Sequence, residues 1–142
     1  MPEWQDDQSI GNNERLWRRV HPTQVDFDKE TGEPRVSSGV FNTGDGLSVS
    51  IASETTIETL LRNYPEHSVV EFEAGVARSV GCIVVRDRTL DDPAHALVWG
   101  PKSRGRLNKT QMETLRNAAT LKLYRPPPER GSQNLNSDTD RR

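Results

Sequence analysis

The sequence predicts an α+β domain: a mixed, mostly antiparallel sheet of about six to seven strands with two packed helices. Three observations predict it. Short runs alternate apolar and polar residues with period two, most plainly Leu47-Ser48-Val49-Ser50-Ile51. Two stretches carry capping-box spacing followed by apolar residues at helical intervals, one entered at Thr55 and Glu58, the other at Thr110 and Glu113. Segments rich in Gly, Pro, Asn and Asp punctuate the runs and give the order β-β-β-α-β-β-β-α-β.

Composition sets the extent of that domain. The chain has 142 residues, 32% hydrophobic and 28% charged, with nine Pro and ten Gly. Residues 1–14 and 126–142 are polar and lack a packable stripe, so both read as disordered flanks around a single domain at 15–125. The domain holds 16 Lys and Arg against 14 Asp and Glu, and the flanks hold 3 against 7. A near-neutral domain argues against non-specific nucleic-acid binding as the main task. The lone Cys82 excludes an internal disulfide framework. The acidic start has no secretory h-region and no apolar run reaches transmembrane length, so a cytoplasmic protein of bacterial style with no membrane partner is expected.

The first strand is expected at 15–20. Alternation sets Leu16, Arg18 and Val20 on one face and Trp17, Arg19 and His21 on the other. An inward Arg18 needs an anionic partner from the protein or from a ligand, whereas on an edge strand its stem would simply cover apolar surface. His21-Pro22 ends the strand, since Pro donates no hydrogen bond. A polar turn at 26–35 leads to a second strand at 36–41. The Gly-rich connection 42–46 leads to a third at 47–52. A helix follows, capped by Ser53 or Thr55, with Ile57, Leu60 and Leu61 as its buried stripe and Asn63-Tyr64-Pro65 as its stop.

A fourth strand at 68–74 turns Val70 and Phe72 inward and Glu71 and Glu73 outward. After a short helical turn or loop at 75–81, Cys82-Ile83-Val84-Val85 is apolar on both faces and reads as a central strand, with Cys82 as a core residue. The charged loop 86–93 precedes a sixth strand at 95–99. The basic loop Lys102 to Arg106 follows. Asn108 or Thr110 caps the second helix, and 121–124 is a last short strand.

Few residue patterns carry chemistry. His21, His67 and His95 are isolated in sequence and no Cys pair exists, so no metal site is expected. The run 42–46 is either a phosphate cradle or, more simply, a hairpin turn. His95, next to Asp91 and Asp92, is a candidate acid–base group, or a strand histidine beside Trp99. Lys102, Arg104 and Arg106 are candidates for phosphate or nucleic-acid contact within 102–109.

The runs LWRRVHP, RVSSGVF, GLSVSIAS and DDPAHALVWG resemble those of small bacterial proteins without an assigned activity. More remotely, the order resembles the RES-domain and ADP-ribosyltransferase-like group, with an Arg on the first strand, a small polar segment with an aromatic, and a helix entered after a Ser-rich strand. That resemblance implies NAD binding with glycosidic cleavage or ADP-ribose transfer. It would give Arg18 and Glu58 catalytic roles and place Ser37, Ser38, Phe41 and Ser48 at the cofactor, Ser48 standing where the group has an aromatic. The expectation is then a toxin or effector with an NAD or nucleotide cleft and an antitoxin or operon neighbour as partner. The alternative is a non-catalytic interaction module, accessory to a bacterial defence or toxin–antitoxin system. A third reading is a nucleic-acid-associated protein working through the basic loop.

Overall fold

The computed structural model describes residues 4–90 and 92–126. Asp91 and the expected C-terminal tail from 127 onward lie outside the described residues. The architecture is α+β, as the periodicity predicts. The strands are β1 (Arg15–Val20), β2 (Val25–Phe27), β3 (Pro34–Val36), β4 (Leu47–Ile51), β5 (Ser68–Glu73), β6 (Ile83–Arg86), β7 (His95–Trp99) and β8 (Thr120–Leu123). Six form one sheet, in the order β6-β7-β4-β1-β5-β8, with every pairing antiparallel. The small β2–β3 ribbon is a separate sheet, with Val36 in the core and Val25 packed against it. The helices among the described residues are α1 (Ile57–Leu60), α2 (Ala74–Ser79) and α3 (Lys109–Ala118), one more than expected.

One face of the sheet is closed. Leu16, Val20, Leu47, Val49, Ile51, Val70, Phe72, Val84, Ala96 and Val98 join a single core with Ala74 and Ala77 of α2 and Leu115 of α3. The small residues of α2 let that helix lie close to the sheet. α3 starts where the sequence allowed: Asn108 accepts from the Gln111 N–H while the Gln111 side chain accepts from the Asn108 N–H.

Several expected elements differ, each for a definable reason. The strand expected at 36–41 does not form: β3 ends at Val36, and it pairs with β2 in a hairpin in place of the turn expected at 26–35. Residues 38–41 instead form a 3-10 turn that drops Val40 and Phe41 into the core, Phe41 edge-on to Phe72 at 6.1 Å. Helix α1 is capped by Thr56, whose hydroxyl accepts from the Thr59 N–H, so neither Ser53 nor Thr55 holds that position and the Thr55/Glu58 box does not form. Glu71 is buried rather than outward: it accepts from Trp17 Nε1 at 2.8 Å and from Arg15 at 2.9 Å.

Strand positions are also exchanged. β6, apolar on both sides, is an edge strand, and β1, with its three charges, is central. The exchange has a cause in residues 4–14, which the sequence marked as disordered. Ile10 is 1% exposed, Asp7 N–H donates to the Val84 carbonyl, and the Asp6 carboxylate accepts from the Val84 N–H. Arg78 on α2 binds Asp6 at 2.9 Å and Arg86 binds Asp7 at 3.4 Å. This segment therefore covers the β6 edge, so β6 can be apolar without being central.

Candidate functional site

The other face of the sheet is built from the alternate residues of the same strands: Trp17 and Arg19 on β1, Ser48 and Ser50 on β4, His95 on β7. Only part of it is covered. Leu60 and Leu61, from α1 and its C-terminal end, pack on Trp17 and Val69 with Leu123 beside them. The remainder is a polar cleft of about 700 Å³, walled by the α1 region and by the loop before β7.

Its floor follows from strand register. Ser50 lies between Trp17 on β1 and His95 on β7, so the three share one face. The β1–β4 ladder stops after the Trp17–Ser50 pair. Beyond it the Arg18 guanidinium donates to the Ser48 carbonyl at 2.8 Å and to the Val40 carbonyl at 2.7 Å. Burial, with Arg19 alongside, lowers its pKa to about 10, so it stays charged at neutral pH. Both of its bonds go to neutral carbonyls, and no carboxylate among the described residues pairs with it.

The walls add further cations and rings. Arg19 stacks over the Tyr64 ring at 4.0 Å, and Arg62 also lines the cleft. His67 packs edge-on to Tyr64 at 5.1 Å and to His21 at 5.3 Å. Burial, then the neighbouring His21 and Arg19, hold the His67 imidazole below the usual histidine value, which favours its neutral form. Asp92 is the one carboxylate among the described lining residues, and both its oxygens are engaged: Ser50 Oγ donates to one at 2.7 Å and the Ala94 N–H to the other at 3.0 Å. Among the described lining residues, three arginines thus stand against a single, already engaged carboxylate.

Of the residues singled out from the sequence, Arg18, Ser48 and His95 meet in this cleft. Glu58 sits exposed in the first turn of α1 and is not among the lining residues. Ser37 and Ser38 lie at the start of the 38–41 turn, also outside the lining. Phe41 is 0% exposed, which corrects its assignment to a cofactor: a ring closed in by Phe72 and the core has no face left for a ligand. Lys102, Arg104 and Arg106 are exposed on a separate loop, where Lys102 and Arg106 flank a depression of only about 100 Å³. Cys82 is buried, and burial pushes its thiol up to about 11, consistent with a core role.

Sequence reasoning missed Arg19, His21, Gln24, Ser50, Arg62, Tyr64, His67 and Asp92 as cleft residues. A signal for some existed. Alternation had already set Trp17, Arg19 and His21 on the face opposite Leu16, and the same alternation groups Ser48 with Ser50. The contributions of Arg62, Tyr64 and His67 come from a loop and had no periodic signature. Comparison with family models, curated proteins and solved structures finds no match to this chain.

Proposed function

We propose that the open-face cleft binds a nucleotide, NAD-type dinucleotides included, through its phosphates. The observation that supports this is Arg18: a half-buried permanent cation bonded only to neutral carbonyls, with Arg19 and Arg62 beside it and, among the described lining residues, no free carboxylate to balance them. An anionic ligand offsets that charge at little desolvation cost, because the guanidinium is already partly stripped of water. The cleft volume lies within the roughly 300–1,000 Å³ usual for small-molecule sites. Tyr64, His21 and His67 offer rings for a base. The reading places the protein in a nucleotide-rich compartment, the cytoplasm. It is a reading of binding: Glu58 lies outside the cleft lining, so the ADP-ribose transfer implied by the remote resemblance draws no support from it.

Titration calorimetry with NAD, ADP-ribose and ATP checks the proposal. Binding should be measurable at low salt and weaken as salt rises. Arg18→Met should lower affinity at least tenfold, which is about 1.4 kcal/mol, while leaving stability within about 1 kcal/mol, since an apolar side chain of similar length replaces a partly buried charge. No heat from any of the three at low salt refutes it. A second reading, as an interaction module, is favoured by one observation: Phe27 is 54% exposed and edge-on to Tyr124, just beyond the edge strand β8. Pull-down of a partner that Phe27→Ser abolishes, in the absence of nucleotide binding, would select that reading.

A further inference from the structure

Two histidines of the cleft are held in opposite tautomers by the backbone. His95 Nδ1 lies 2.8 Å from the Asp87 main-chain carbonyl. A carbonyl only accepts, so Nδ1 carries the proton and Nε2 carries the lone pair. The Asp87 N–H donates in turn to the His95 carbonyl at 2.9 Å, and the Asp87 carboxylate lies 3.2 Å from the same Nδ1. The ring is thus clasped from one side, with a carboxylate placed to offset the charge it gains on taking a proton. His21 is the reverse. Its Nδ1 accepts from the Thr23 N–H at 3.2 Å, so Nε2 carries the proton and is a donor. That arrangement is locked by a reciprocal cap, Gln24 Oε1 accepting from the His21 N–H at 3.0 Å.

Among the described lining residues the backbone therefore fixes one ring as a base, at His95 Nε2, and one as an N–H donor, at His21 Nε2, beside several cations. Asp92, the one carboxylate among the described lining residues, has both oxygens engaged and is not placed to protonate a leaving group. Such a set suits a leaving group that departs as a stable anion and needs no proton. A phosphoric anhydride has that leaving group; an alkyl phosphodiester does not.

Resting on the nucleotide-binding reading, we propose that the cleft hydrolyses the pyrophosphate of a dinucleotide, with His95 as general base. A water oxygen attacks one phosphorus and forms the new P–O bond. Its proton passes to His95 Nε2. The bridging P–O bond breaks, and its electron pair leaves on the second phosphate as a nucleoside monophosphate anion. The guanidinium groups and the His21 Nε2–H stabilise the charge that gathers on the phosphoryl oxygens. His95 then returns its proton to bulk water. NAD and water become nicotinamide mononucleotide and AMP with no oxidant or further reactant.

Phosphorus NMR of the intact protein with NAD, beside calorimetry on the same samples, decides the matter. The expected result is conversion to the two mononucleotides. His95→Asn keeps a side-chain N–H for the Asp87 carbonyl and removes the base, so the rate should fall at least 100-fold with affinity changed less than threefold. His95→Ala should be similarly slow, and added imidazole should restore part of its rate, which a merely structural histidine would not permit. NAD that binds but is not cleaved overturns this proposal and leaves the binding reading standing. Release of free nicotinamide, or a His95→Asn variant as fast as the parent, also overturns it. Absence of binding removes both.

Discussion

The two faces of the six-stranded sheet use neighbouring residues of the same strands and have opposite characters. On the closed face, Leu16, Val49, Phe72 and Val98 meet α2, α3 and the turn at 38–41, and almost nothing polar intervenes. On the open face, Trp17 and Val69 are covered by the short α1 region, while Arg19, Ser50 and His95 look into a cleft. Because side chains alternate across a strand, a chain can commit every second residue to stability and leave the others for chemistry. Arg18 is the one charge that crosses this division: it belongs by parity to the closed face, yet it reaches the cleft where the β1–β4 ladder ends.

Removing a ring from the closed face is the strongest test of this division. Phe41→Ala should cost about 3–5 kcal/mol, from lost transfer energy and the cavity left against Phe72. Arg62→Ala on the open face should change stability by less than about 0.5 kcal/mol. Chemical denaturation of both variants reads the contrast, and similar costs for the two would erase it.

The next largest effect concerns what closes the core at the β6 edge. Ile10→Ala should cost about 2–4 kcal/mol, because the side chain is fully buried in the closed-face cluster. A shift in denaturation midpoint near zero would return residues 4–14 to the role of a dispensable flank.

The smallest effect sharpens the open face, where Glu71 supports Trp17. Burial alone would raise the Glu71 pKa. The hydrogen bonds from Trp17 and Arg15 outweigh it, and the carboxyl sits below its usual value of 4.5. A lowered folded-state pKa means that the unfolded chain binds the proton first, so this contribution is present above pH 4.5 and fades as pH falls through the folded value. Denaturation midpoints between pH 6 and pH 3 should fall less steeply in Glu71→Gln than in the parent, with the variant about 1–3 kcal/mol less stable at pH 7. Parallel pH profiles would show that Glu71 is not the group responsible.

Local pattern determined much of this protein by itself. The period-two runs expected at 15–20, 47–52 and 95–99 are strands almost to the residue, because alternation reports directly which residues a half-buried ribbon must hide. The α+β class followed from their order. The sequence also posed the question of Arg18, a cation between Leu16 and Val20. Tertiary structure decided the rest. Apolarity on both sides of 83–85 cannot distinguish a central strand from an edge covered by another segment, and only the path of residues 4–14 shows which applies. Glu71 looked outward until Trp17 and Arg15 supplied its partners from β1. The cleft itself is assembled from 17–24, 48–50, 55–67 and 89–95, stretches brought together only by strand pairing and by the loop around α1. A site whose parts are so far apart along the chain leaves little local signature, since what unites its residues is a shared face and not a shared spacing.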